Sequence, residues 1–209
     1  MTTADLACRR TRPMVAALVV ATAPSLSACG GKTTPATMAA SRGSSLKQDQ
    51  ILFLSTRGGS TTNIYLMNDN GSGVMRVTNT AFTDQDIAIS PDGTTMVFSR
   101  IDQSGRFQVY RMKFDGSPAT NISRNAFNDS DPAWSPDGTR LVFESDRSGS
   151  PEAWLMNPDG SRPEQLTRNG AENGDADWSP DGGRIVFESH LNGKSDIYVI
   201  TADAPASPT

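Results

Sequence analysis

The sequence predicts an all-β chain, a β-propeller of about four incomplete four-stranded blades. Three observations predict it. Ser-Pro-Asp-Gly stands at Ser90–Gly93, again at Ser135–Gly138 and again at Ser179–Gly182, spaced by 45 and 44 residues. Self-similarity at a period of about 40–50 residues marks a propeller or solenoid. Each copy is followed by a short run rich in β-branched and aromatic residues, too short for a helix. Later in the unit comes Asn-Gly or Asp-Gly, at Asn70-Gly71, Asp115-Gly116 and Asp159-Gly160. These dipeptides favour tight hairpins because glycine accepts positive φ without steric cost.

Each unit divides into runs A to D. Run A ends in Ile89, Trp134 or Trp178, just before Ser-Pro-Asp-Gly. Run B is Met96-Val97-Phe98, Leu141-Val142-Phe143 and Ile185-Val186-Phe187. Its three consecutive apolar residues suit a strand covered on both faces. Run C is Val109–Met112, Ala153–Met156 and Ile197–Ile200; run D is Asn121–Ser123 and Gln165–Thr167. A first unit, with Ile51–Leu54, Asn63–Met67 and Met75–Thr78, has no run A, and the last unit has no run D. The units therefore supply three, four, four and three strands.

The pattern D-x-x-[WI]-S-P-D-G-x-x-[LIM]-V-F-x-S, followed by [YW]-x-[MI], D-G and L-T, resembles the TolB-type, WD-repeat-like β-propeller repeat. The resemblance covers about residues 51–203. It implies a non-catalytic interaction scaffold of the cell envelope that binds a protein or envelope component, such as a peptidoglycan-associated lipoprotein. A propeller alone does not fix a function.

Residues 1–28 read as a lipoprotein signal peptide. Arg9, Arg10 and Arg12 are its basic region, and Met14–Leu26 is a mostly apolar stretch too short for a membrane span. Leu26-Ser27-Ala28-Cys29 resembles a bacterial lipobox, which makes Cys29 the expected lipidation site and the first mature residue. Cys8 falls in the leader, so the mature chain carries one cysteine and no internal disulfide. Residues 29–49 are rich in Gly, Ser, Thr and Ala and read as a flexible tether. Residues 50–203 are the propeller repeats and 204–209 a disordered tail. The expected location is the bacterial envelope, lipid-anchored and facing the periplasm. The formal charge is −4, and it becomes more negative once the arginine-rich leader is removed. An acidic chain lacks the basic footprint of nucleic-acid binding.

Candidate site residues fall into two groups. Asp86, Asp131 and Asp175 share one repeat position, four residues before the Ser of the turn. They read either as loop aspartates accepting backbone N–H bonds or as a ring of carboxylates. Asp177 replaces Ala88 and Ala133, and its position on the innermost strand places it toward the central channel. His190, the lone histidine, follows run B of the last unit. No Gly-x-Ser-x-Gly elbow occurs, and a single histidine cannot build a multi-histidine metal site. No cofactor is expected. The competing enzymatic reading is a channel-based, calcium-dependent hydrolase or lyase built on carboxylates. Four blades allow a strained closed ring, an open arc, or two chains joined into eight blades. The expectation is an open arc that self-associates, with apolar faces exposed near Phe53 and Phe187.

Overall fold

In the computed structural model, residues 45–203 are described, and they form four antiparallel sheets. Blade 1 holds β1 (Gln50–Ser55), β2 (Asn63–Asn68) and β3 (Met75–Arg76). Blade 2 holds β4 (Asp84–Ile89), β5 (Thr95–Ile101), β6 (Phe107–Lys113) and β7 (Thr120–Asn121). Blade 3 holds β8 (Asp129–Trp134), β9 (Leu141–Ser145), β10 (Glu152–Met156) and β11 (Glu164–Gln165). Blade 4 holds β12 (Asn173–Trp178), β13 (Arg184–Ser189) and β14 (Asp196–Thr201). Each sheet is a meander, with neighbouring strands paired in chain order. The predicted division into three, four, four and three strands is the one observed.

The repeated tetrapeptide makes the first turn of blades 2, 3 and 4. Ser90 Oγ donates to Asp92 Oδ1 (2.6 Å) and accepts from Thr95 N (3.0 Å), while Gly93 at φ 70° donates to Ser90 O (2.8 Å). Ser135 with Asp137 and Ser179 with Asp181 repeat the arrangement. The residue types are fixed by this turn: a hydroxyl that both donates and accepts, a carboxylate acceptor, and a glycine in the left-handed region.

Run D is shorter as a strand than its apolar residues suggest. A hydroxyl takes over the ladder. Thr78 Oγ1, Ser123 Oγ and Thr167 Oγ1 accept the N–H of Ile64 (2.9 Å), Val109 (3.1 Å) and Ala153 (2.9 Å). The preceding Val77, Ile122 and Leu166 turn into the core. Thr78 then donates to buried Asp84 (2.6 Å) of the next blade, and Thr167 to buried Glu152 (2.5 Å). Thr78 and Thr167 therefore each anchor a buried acid, while Ser123 donates to buried Gln108 (3.0 Å).

Blades pack face to face in sequence. One face of blade 2 carries Met96 and Phe98 and meets Leu52, Ile64 and Leu66 of blade 1. Its other face carries Val97 and Val109 and meets Leu141, Phe143 and Met156 of blade 3. Val142, Ala153 and Leu155 of blade 3 meet Ile185 and Phe187 of blade 4. Gly160 at φ 85° lets the blade 3 hairpin approach Ile122 so closely that a Cβ would overlap the Ile122 carbonyl oxygen. Arg111 Nη1 donates to Pro158 O (3.0 Å) in the same junction.

An arginine caps the aromatic pair of each of the first three blades. Arg57 lies over Phe53 (4.8 Å) and Tyr65, Arg100 over Phe98 and Tyr110 (4.9 Å), and Arg147 over Phe143 and Trp154 (4.7 Å). In blades 2 and 3 the inner strand supplies a buried aspartate: Arg100 Nε to Asp84 Oδ1 at 2.6 Å, and Arg147 Nη2 to Asp129 Oδ1 at 2.8 Å. Among the described residues blade 1 has no inner strand and Arg57 makes no ion pair.

The arc is open at blade 4. Val186, Ile197 and Val199 are 36%, 70% and 60% exposed on its outer face. Phe53 and Phe187, near which exposure was expected, are themselves buried, because the strand alternation turns Phe187 toward blade 3 and its neighbour Val186 outward. Residues 45–49, expected as the end of a tether, instead contact the blades: Leu46 N donates to Gly93 O (2.7 Å), and Asp49 O accepts from Asp69 N (2.8 Å). The leader, Cys29 and the tail 204–209 lie outside the described residues. No described helix is long and apolar enough to cross a membrane.

Candidate functional site

The inner strands β4, β8 and β12 pack against one another in that order. Each carries a register shift against its neighbour, between Gln85 and Ala88, Ser130 and Ala133, and Gly174 and Asp177. The extra residue of each bulge leads with an aspartate at positive φ: Asp86 at 52°, Asp131 at 50° and Asp175 at 49°. Aspartate is one of the few side-chain-bearing residues that tolerates this region. The three aspartates are thus strand residues at bulges, not loop residues. A bulge re-aims its side chain, and here three bulges bring three acids to the inner edge of neighbouring blades.

Burial and mutual repulsion act on these carboxyls. Burial pushes the Asp131 carboxyl up to about 6, and the Asp86 and Asp175 charges add to it. Asp86 is raised as well, chiefly by burial. Asp86 Oδ2 is buried with no hydrogen-bond partner among the described residues. Ser99 of β5, fully buried, accepts from Asp131 N at 3.1 Å and ties blade 2 to the blade 3 bulge.

The strongest member of the cluster is Glu144. Burial pushes it up to about 7, with Asp131, Asp175, Asp146 and Asp86 raising it further. It lies on β9 at the position held by Leu54 in β1, Ser99 in β5 and Glu188 in β13. The sequence reading passed over it. The signal was there: a carboxylate replaces a serine at one repeat position, directly after the repeated phenylalanine. Gly174 accommodates it, since a Cβ there would collide with Glu144 Oε2.

Glu144, Glu172, Gly174, Asp175, Glu188 and His190 share one open cleft of about 260 Å³, with Pro151 and Asn173 completing its wall. Asp175 and His190, picked out separately in the sequence, therefore belong together. His190 N donates to Glu172 O at 2.9 Å, and the His190 side chain is exposed. Asp177 does not join them. It pairs in register with Val186, which pairs with Val199, so all three stand on the open face of blade 4. The bulge at Asp175 resets the alternation and turns Asp177 sideways out of the channel direction. Among the described residues no group of three His, Cys, Asp or Glu side chains is placed to hold a metal ion. The arrangement offers a negative, partly desolvated concave wall, able to take positive charge or share protons.

Residues 122–207 match the TolB beta propeller domain. No curated protein matches the chain. Among solved structures it is similar to a protein assigned as TolB from Agrobacterium tumefaciens, at 22% identity and a TM-score of 0.67, over 74% of this chain and 58% of that one. TolB from Acinetobacter baumannii is similar at 22% identity and a TM-score of 0.65, over 73% of this chain and 38% of that one. An oligogalacturonate lyase in complex with manganese is similar at 15% identity and a TM-score of 0.51, over 74% and 60%. At these identities the likeness establishes the propeller fold. The chain spans less than two thirds of each of these structures.

Proposed function

We propose that this chain is a non-catalytic binding scaffold of the bacterial cell envelope, held to the membrane through a lipid on Cys29. Its acidic inner wall takes a basic segment of a protein or other envelope component, and a peptidoglycan-associated lipoprotein is a candidate of that kind. One observation carries the reading: carboxylates from neighbouring blades converge at the inner edge and open into the cleft of Glu144, Glu172, Asp175 and Glu188. Clefts lined by one sign of charge focus potential and attract opposite charge. The TolB-type repeats support a binding role in general terms.

The test is in-cell cross-linking of the exported protein, followed by purification and identification of what is captured. A single partner carrying a Lys/Arg-rich segment is expected, and its capture should fall with added salt. Glu144→Gln with Glu172→Gln should reduce that capture while the protein still melts in one cooperative transition. Capture of the same partner at full yield by the double variant would reject the acidic wall as the binding surface. The anchor is tested apart: Cys29→Ala should move the protein to the soluble periplasmic fraction and end fatty-acid labelling, and unchanged membrane association would reject lipidation.

A further inference from the structure

In blades 2, 3 and 4 one further bond extends the ladder between the inner strand and its neighbour. Ile101 N donates to Thr83 O (3.0 Å), Asp146 N to Asn128 O (3.2 Å) and His190 N to Glu172 O (2.9 Å). In blade 3 the side chains then close this end. Asn128 N donates to Asp146 Oδ1 (2.9 Å), and Asn128 Nδ2 to Asp146 Oδ2 (2.8 Å). In blade 4 the same two repeat positions hold Glu172 and His190. Among the described residues their side chains make no ion pair with each other, and both line the open cleft.

The charges at this end also change from blade 3 to blade 4. Blade 3 carries Arg147, paired with buried Asp129 at 2.8 Å. At the same repeat positions blade 4 has Leu191 and Asn173, so the fixed cation and its partner are both replaced. The cleft is lined by Glu144 from β9, Glu172 just before β12, Asp175 within β12 and Glu188 on β13, and His190 is the one lining residue able to carry positive charge. The backbone on either side of His190 is held. Leu191 N donates to Oγ of buried Ser189 (3.2 Å), and Gly193 N donates to His190 O (3.1 Å). The imidazole itself is exposed to solvent.

We infer that His190 regulates the acidic cleft: with a proton taken from solvent it becomes the chain's own counter-ion for Glu172 and the acids beside it, and competes with a basic segment for them. Without that proton it leaves the wall to the partner. The inference rests on the acidic-wall reading and adds its control. Histidine is the side chain whose ordinary titration falls between pH 5 and 8. The crowded carboxyls of Glu144 and Asp131, held up to about 7 and about 6, shift the wall's charge in the same direction, because they too gain protons as pH falls. Binding of a cation is therefore strongest at the alkaline end of this range. His190 accounts for the part of the pH dependence that its replacement removes.

Fluorescence anisotropy of a labelled oligolysine peptide, titrated at low salt with the exported chain carrying Cys29→Ala, reads the result at pH 8 and pH 6. The parent is expected to bind more tightly at pH 8. His190→Gln should narrow the ratio of the two dissociation constants by about threefold, the size of one exposed charge pair. His190→Lys keeps a cation in place at both pH values, and should bind more weakly at pH 8 than His190→Gln by about the same factor. An unchanged ratio in His190→Gln overturns the role of His190 and leaves the acidic wall standing. So does a lysine variant that binds as tightly as the glutamine variant at pH 8. A parent that does not bind at pH 8, or whose binding Glu144→Gln with Glu172→Gln does not weaken, rejects the wall itself and the inference with it.

Discussion

Phe143 shows how a single residue reports the whole repeat. It is fully buried between blades 2 and 3, packed with Val97, Val109 and Met156, and capped by Arg147. Phe143→Ala removes that packing and leaves a cavity that a junction of two rigid sheets cannot collapse. The expected loss is about 3–5 kcal/mol, read from reversible denaturant unfolding; a change near zero would mean that this junction does not form. Asp84 makes a second test of a different force. Its carboxylate is wholly buried between Arg100 and Thr78, so it joins blade 1 to blade 2 as well as pairing a charge. Asp84→Ala strands Arg100 in a site only 8% exposed, at an expected cost of about 3–5 kcal/mol. Ser161 is the control: exposed, and bonded only within its own turn to Asp159 and Asn157. Ser161→Ala should change stability by less than about 0.5 kcal/mol.

At the scale of the strand, the inner bulges decide both what was legible and how the protein responds to pH. Runs A, B and C could be read because their residues obey local rules, such as the hydroxyl–carboxylate–glycine turn after Trp134 and the unbroken apolar Leu141-Val142-Phe143. The shortness of run D could not, because Thr78 replaces a ladder carbonyl only once Ile64 lies beside it. The aspartate cluster was half legible. One repeat position flagged Asp86, Asp131 and Asp175, but a bulge is a tertiary feature that flips every later side chain, and so Asp177 was misplaced. The same crowding holds protons on Glu144 and Asp131 in the folded state. Their folded values, about 7 and about 6, lie above the ordinary 4.5 and 3.8. Between those limits the native protein binds more protons than the unfolded chain, so stability falls as pH rises through the window. The turn aspartates Asp92, Asp137 and Asp181 are held low, first by their serine partners, and act only at more acid pH. Melting temperature should therefore be higher at pH 5 than at pH 8, and Glu144→Gln should flatten the difference. A melting temperature that rises from pH 5 to pH 8 would contradict the burial of these acids.

For the whole molecule, stability should be graded along the arc. Blades 2 and 3 are sandwiched between neighbours on both faces, and the central strands β5 and β9 are almost wholly buried. Blade 4 has one covered face, and β14, at its outer edge, has no buried residue, with Asp196, Ile197, Val199 and Thr201 exposed. Local opening costs least where few apolar contacts must break. Hydrogen exchange of the lipid-free chain in dilute solution should accordingly find the amides of Asp196–Thr201 exchanging well before those of Leu141–Ser145. Equal protection of β14 and β9 at the lowest concentration would mean that something already covers blade 4 in the single chain, and the arc would then be closed.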